Sequence, residues 1–578
     1  MSLVIRVLPD EPAIDREFDY LVPDDRADLI KVGSIVRVDL RGRRVRGWVT
    51  AIGVEPPDGV EPRTISKVSG IGPPGPLIEL ASWASHRWVG TRPRFLRTAT
   101  PERNVAGIPD PPAKPAAPLA VLDGLSGEAF TRGGAVVRLA PNTDEWPLIA
   151  AAANLGRALI LTPSVGRAKH VVLQLRRAGV QAALYPRDWA MSAAGAVTVG
   201  ARAAAWAPIT DLDAVLVLDE HDESYQEESA PTWHARDVAI ERARRDGAPW
   251  VVTSPAPSLE SLTSGASLLT PSRAVERAGW PVIEVADRRD DDPTLGEWCG
   301  EALTRTLHSG ARVVCVINRK GRARLAYCHA CGELARSTKT GRALAPDGQR
   351  LVDPSPAAGE EPENRPAVCD SCGSTRFRRV KLGVTGVAEA LSQIARREVI
   401  EVTADQTGPL PQGDLYVGTE AVLHRVHRSD VVAFLDFDQE LLAPRYRAAD
   451  EAMSLLIRAA RVVGPRDGGG RVLVQTRMPG HELLDAVLHA DPRRAALAEL
   501  AKRRELNQPP TRSWALVSGP SATEFMERFG TPVGVDVMGP ADGRWRLSAQ
   551  DRRLLLDELN SVERPGGRLR IEVDPLRA

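Results

Sequence analysis

Residues 214–226 read AVLVLDEHDESYQ. An apolar run closes on Asp219-Glu220-His221, as a buried parallel strand does when it delivers acids to a bound nucleotide. In such sites the first acid holds Mg²⁺ and the second orients the attacking water. That strand needs a second half, a glycine-rich loop whose lysine reaches the phosphates. The fold around 214–226 therefore follows from the strand, and the chemistry depends on whether the loop exists.

Working outward, short apolar strands alternate with helical stretches from 119 to about 290. RALILTPS (157–164) precedes AKHVVLQLRRAG, and GAVTVGARAA, AVLVLDE and PWVVTSPAPS follow at helix-sized intervals. Strand–helix alternation predicts a parallel sheet with crossover helices. The texture returns from 311 with RVVCVIN, REVIEVTA, DLYVGTEAV, DVVAFLDFD and RVLVQT. The expected class is α/β with two parallel-sheet lobes, at 119–290 and 291–480. Residues 1–105 hold short β-like runs and predict a β-rich domain; in SIVRVDLRGRRVRGWVTAIGV, Arg37, Arg41, Arg43, Arg44 and Arg46 interleave with apolar residues. The proline-rich segment 106–118 reads as a stiff linker. An insert at 326–376 interrupts the second lobe, and a small α+β domain occupies 481–578.

The chain has 578 residues, with Lys+Arg and Asp+Glu both 75. A net charge of zero gives no global electrostatic case for a polyanionic partner. Aromatic residues make up 4%, which argues against extended base-stacking platforms. No apolar run approaches a membrane span, and acids arrive early in MSLVIRVLPDEPAIDREFDY, so a cytoplasmic protein without membrane contact is expected.

Four of the six cysteines stand in two pairs, Cys328-His329-Ala330-Cys331-Gly332 and Cys369-Asp370-Ser371-Cys372-Gly373. A turn with Cys at i and i+3 aims both sulfurs at one metal, and two such turns complete a closed four-thiolate site. That pattern predicts one structural Zn²⁺ per chain. Reduced thiols or a redox pair form the alternative. Cys315 lies in an apolar strand and reads as core, and Cys299 also lies outside the insert.

The loop that should complete the nucleotide site is missing. No lysine lies between Lys114 and Lys169, and VVRLAPNTDEWPLIAAAANLG (136–156) fills that interval. Asn142, Thr143, Asp144 and Glu145 stand where GxxxxGK[ST] would be, and two of them would repel a triphosphate.

These stretches together resemble the family of primosomal protein N′, the replication-restart helicase PriA. EFDYLVP (17–23), VGARAAAWAP (199–208), HDESYQEESAPTWHARDVA, SPAPSLES (254–261), INRKGRA (317–323), the cysteine pairs, VGTEAV, RYRAADEA (445–452), RRELNQPP and RLRIEVDP carry the resemblance in order. It implies two RecA-like helicase lobes behind an N-terminal domain that binds a 3′ DNA end. The family's winged helix is expected to be absent, since only the linker occupies its place. Phe18, Asp19 and Tyr20 fall on the end-binding signature, Arg63 on a nearby basic residue, and Arg41 or Gly42 on a pocket glycine. The four cysteines above match one of the family's two zinc sites; the second falls near Ser337 and Thr340, where no ligands stand. The family's DEEH becomes Leu218-Asp219-Glu220-His221, and its γ-phosphate arginines fall on RAARVVGPR (458–466), with Val462 in an arginine's place. The resemblance thus implies a degenerate ATP site at Asp219, Glu220 and His221, with no catalytic residue left. It implies a restart protein that binds stalled or abandoned forks and single strands with a 3′ end. Primosome or single-strand-binding proteins would be its partners. An active 3′–5′ helicase with an atypical nucleotide site and a zinc-containing interaction scaffold are the competing readings.

Overall fold

The structure, a computed structural model, describes all residues except 1–2, 60, 114–116, 122, 290–298, 318–324, 332, 334, 339–343, 353–362, 381–383, 404, 407 and 578. Lys114, Thr340 and most of INRKGRA therefore lie outside the described residues.

The N-terminal sheet runs β1 (Leu3–Pro9), β2 (Phe18–Val22), β3 (Ile35–Leu40), β4 (Arg43–Ile52), β5 (Arg63–Thr64) and β6 (Lys67–Gly70), in the spatial order β5-β2-β1-β4-β3-β6. Period-two alternation gives each strand two faces. Ile5, Val7, Tyr20, Val36, Val38 and Val49 bury one face. Leu8, Ile35 and Trp48 bury part of the other under two helices, α1 (Gly75–Arg87) and α2 (Arg92–Ala99). Arg41 and Gly42 join β3 to β4 with φ of +50° and +79°, the conformation a tight two-residue hairpin requires.

The first lobe is a seven-stranded sheet: β7 (Gly134–Arg138), β8 (Ala158–Leu161), β9 (Ala182–Leu184), β10 (Val197–Gly200), β11 (Ala214–Val217), β12 (Trp250–Ser254) and β13 (Ser267–Leu269). Its order is β13-β7-β12-β11-β8-β10-β9, and every pairing is parallel. Every residue of β8, β10, β11 and β12 is buried, as strands covered by helices on both faces must be. The C-terminal domain is a four-stranded antiparallel sheet, Val535–Ala541, Arg544–Ala549, Ser513–Ser518 and Arg570–Val573 in that order. One continuous core joins N-terminal domain, first lobe and C-terminal domain, running through Trp48, Trp88, Phe95, Trp206, Trp233, Phe525 and Ile571. These three form one compact unit.

The second unit holds the second lobe, six parallel strands ordered Val282–Asp287, Arg471–Thr476, Val431–Phe434, Val313–Val316, Leu415–Gly418 and Ile400–Val402. Its first strand precedes residue 291, because Val282–Asp287 pairs along its length with Arg471–Thr476. Cys315 and Cys299 are buried in this lobe's core, where burial pushes the Cys315 thiol up. The insert carries its own small core of Ala326, Ala335, Leu344, Leu351 and Ala367. Among the described residues no helix is long and apolar enough to cross a membrane.

Candidate DNA-end pocket, DEH segment and cysteine centre

In the insert, Leu325–Cys328 pairs antiparallel with Phe377–Val380, which draws the two knuckles together. Each knuckle closes on its own backbone: Cys328 N–H donates to Glu333 O at 2.9 Å, and Cys369 N–H to Ser374 O at 2.9 Å. Gly373 takes φ +71°, a left-handed position that suits glycine. The four Sγ atoms lie within 4.8 Å of one another, with Cys328–Cys372 and Cys331–Cys369 both at 3.5 Å. Tetrahedral zinc with Zn–S near 2.3 Å sets sulfurs roughly 3.8 Å apart, so the donor set fits one such ion. Backbone N–H groups of Cys331 and Ala330 hold the Cys328 thiol down at about 6. The Glu333 N–H pulls on Cys331 the same way, but the neighbouring sulfurs of Cys372 and Cys369 outweigh it and lift that thiol to about 12. Crowded thiols that resist joint ionisation are what a divalent cation relieves.

On the N-terminal sheet, Phe18, Asp19 and Tyr20 do not converge. Phe18 and Tyr20 turn toward the sheet core, and Tyr20 donates its hydroxyl to Asp39 O at 3.0 Å. Arg16 lies 5.7 Å from the Phe18 ring centroid. Asp19 points to the opposite face. There Arg6, its register partner, grips it with Nε at 2.8 Å and Nη2 at 3.1 Å. The Asp19 side chain is only 7% exposed. Arg63 stands beside Tyr20 in register and donates to Asp39 Oδ1 at 2.6 Å, with 69% of its side chain exposed. Tyr20, Asp39 and Arg63 are thus one cluster, and Asp19 with Arg6 is another. Asp39 was not singled out in the sequence; its alternation partner across the hairpin gives no hint of the Arg63 contact.

The DEH segment sits immediately after β11. Leu218 is fully buried, and its carbonyl accepts from Tyr225 Oη at 2.6 Å. Asp219 is buried at φ +53°. Glu220 is buried within a dense set of donors. Arg236 Nη1 lies 2.7 Å from Oε2, Ser258 N–H 2.6 Å from Oε1, and Ser258 Oγ 2.8 Å from Oε2. His221 Nδ1 meets Ser254 Oγ at 2.8 Å. Arg236 opens the helix Ala235–Asp246, and Ser258 caps Leu259–Leu262, so both come from segments quoted above for the resemblance. Their spatial role was legible only once the sheet placed β11 beside β12.

The network continues from Arg236. Its Nη2 lies 3.0 Å from Asp237 Oδ1. Asp237 lies 3.6 Å from Arg87 on α1, and Arg87 donates to Asp574 in the C-terminal domain at 2.5 Å. Arg552 adds a third cation 3.8 Å from Asp574. Burial alone would raise both carboxyls, but Arg236, His234 and Arg87 hold Asp237 well below the usual range, and Arg87 and Arg552 lower Asp574. Burial opposes the Arg236 charge, yet Asp237, Glu220 and Glu260 more than restore it.

Where a phosphate loop would lead into a helix, β7 leads to the helix Trp146–Leu155. A helix N-terminus attracts anions through its unpaired N–H groups. Here Asp144 already accepts from Trp146 N–H at 3.0 Å, and the buried Glu145 is paired with Arg167. In the second lobe Val462 is buried on the helix Ala448–Val463, and Arg458 is paired with Glu420.

Residues 6–101 match the 3′DNA-binding domain (3′BD) of PriA. The chain is 28% identical over 596 residues to the probable replication restart protein PriA of Mycobacterium leprae, covering 92% of this chain and 90% of that protein. The Mycobacterium tuberculosis H37Rv counterpart is 27% identical over 611 residues, with the same coverage. The replication restart protein PriA of Bacillus subtilis is 27% identical over 348 residues, 56% of this chain but only 43% of that protein. A DEAD box protein from the hyperthermophile Methanococcus jannaschii aligns at 10% identity and a TM-score of 0.30, over 67% of this chain and 89% of that one. That overlap is low, and the strand orders above define the fold. Over 92% of its length the chain is similar to a probable PriA replication restart protein, residues 6–101 match the PriA 3′DNA-binding domain, and two α/β lobes with parallel sheets follow in the sequence.

Proposed function

We propose that this chain is a replication-restart protein that binds DNA forks at a strand's 3′ end and recruits primosome partners without hydrolysing ATP. The observation that carries the reading is the 3′DNA-binding domain joined to a first lobe whose nucleotide-binding elements are otherwise engaged. Three elements support it. The anion-attracting helix terminus at Trp146 is occupied by the chain's own Asp144. A buried leucine, Leu218, stands where an Mg²⁺-holding acid is expected. Glu220, expected to orient water, is fully committed to Arg236 and Ser258. Stabilising a transferring γ-phosphoryl group takes a lysine, a held metal and an arginine, each worth orders of magnitude in rate.

In this reading Asp19, held by Arg6, contributes an acceptor for a free 3′-OH on one face of β2, and the exposed Arg63 meets the strand's phosphates from its separate cluster with Tyr20 and Asp39. Cys328, Cys331, Cys369 and Cys372 hold one zinc ion, which ties the insert together and takes no part in a reaction, since four thiolates leave no open position. The partners are primosome or single-strand-binding proteins, and the setting is the cytoplasm. The test is binding to a fork with a free 3′ end at the branch against the same fork with that end blocked. Preference for the free end is expected; equal binding to both removes the end-recognition reading.

A further inference from the structure

The strip IVRVDLRGRRVR (35–46) carries five arginines and one acid in a chain whose charges balance overall. The register sets Arg37 directly opposite Lys67 on β6 and directly opposite Arg46 on β4. Arg44, two residues before Arg46, shares that face and stands opposite Asp39. Lys67, Arg37, Arg44 and Arg46 are all exposed. Like charges directly opposite one another across a sheet are destabilising. The available acids do not neutralise the row. Asp10 serves Arg46 and Arg97, and Asp39 serves Arg63. Among the described residues, Arg37, Arg41, Arg43, Arg44 and Lys67 have no ion pair. Arg41 and Arg43 crowd further charge at the hairpin tip, where Arg41 accepts a left-handed φ of +50°.

Three neighbouring strands therefore present a row of uncompensated cations, and a polyanion supplies what the fold does not. The face also selects which polyanion. Its only aromatic residue is Trp48, fully buried beneath the helices, so stacking on bases is unavailable and contact must be to phosphates. Double-stranded DNA offers the densest phosphate array, one charge per roughly 1.7 Å of axis. We propose that this face, Arg37, Arg44 and Lys67 with the Arg41–Arg43 tip, clamps the backbone of a duplex arm of the fork, separately from recognition of the strand end. The inference rests on the DNA-binding reading above, and adds a second contact with a different ligand.

The test uses the full chain and the double variant Arg37→Gln/Arg44→Gln, with fork affinity measured against salt. Each lost phosphate contact lowers the slope of log K against log salt by about 0.9, so the variant should lose about 1.8 in slope and about 30-fold in affinity near 0.15 M salt. The loss should be equal for free and blocked 3′ ends, and larger on a duplex arm than on single strands. Thermal unfolding without DNA should be unchanged or shifted upward, since repelling charges have been removed. An unchanged slope, a loss confined to the free-end fork, an equal loss on single strands, or a lowered Tm each overturns the proposal. If the wild-type chain binds no fork even at low salt, the underlying DNA-binding reading is what fails. If it binds forks and the variant behaves like wild type, only the clamp fails.

Discussion

Replacing Glu220 by Gln separates a structural carboxylate from a catalytic one. In the native state Glu220 Oε1 accepts from Ser258 N–H, and Oε2 accepts from Arg236 Nη1 and Ser258 Oγ. The glutamine has one oxygen. If it keeps the Ser258 N–H, its amide group faces Arg236 donor to donor; Ser258 Oγ can turn and accept, but the guanidinium cannot. Removing one partner of a buried pair costs about 3–5 kcal/mol when the other charge is stranded. Arg236 is not stranded, because Asp237 lies 3.0 Å away and Ser258 Oγ 2.9 Å away. The expected cost is then that of one charge-assisted hydrogen bond, about 2–3 kcal/mol. Urea unfolding followed by tryptophan fluorescence reads this directly, since Trp83, Trp88, Trp206 and Trp233 line the same core. The midpoint should fall with the slope unchanged. A destabilisation below about 0.5 kcal/mol, within the range of ordinary surface substitutions, would refute the keystone role of Glu220.

Three further outcomes follow. Cys331→Ala should release the zinc and unfold the insert while the lobes keep their own cores; metal analysis finding two zinc ions per wild-type chain, or none in protein purified without chelator, contradicts the single-site assignment. Asp19→Ala should erase the preference for a free 3′ end and leave general fork affinity mostly intact, because phosphate contacts supply the bulk of it; a uniform loss on both forks points to a structural role for the Arg6 pair instead. Asp237 and Asp574 are held below the usual carboxylate range, so their stabilisation is full above the unfolded value of about 3.9 and drains away as pH falls through the lower folded values. Arg87→Ala removes a cation shared by both. Its destabilisation should hold from pH 5 to about pH 3 and shrink only below that, as pH falls toward the depressed folded values, in urea unfolding; an effect that does not shrink below pH 3 would rule out the linkage.

The parallel lobes were readable because fully buried strands are continuous apolar runs, and AVLV, ALIL and VVCV leave little else to be. The cysteine centre was readable because two tight turns dictate where four sulfurs point. The N-terminal pocket was harder. A motif of adjacent residues, Phe18-Asp19-Tyr20, cannot gather on one face of a strand, since alternation sends the middle side chain the other way. Nothing in the sequence marks Arg6 or Asp39 as the partners that result. The start of the second lobe was also obscured. VIEVAD (282–287) reads as the end of one alternating region, and only its pairing with Arg471–Thr476 assigns it to the next. The charge network from Glu220 to Asp574 joins residues from three domains, and no local pattern foretells that.

The proposed function has this chain working on forks without spending nucleotide. The direct measurement is ATP hydrolysis by the purified full chain with and without single-stranded DNA. No turnover above background is expected in either case, and turnover stimulated by single-stranded DNA would contradict the proposed function.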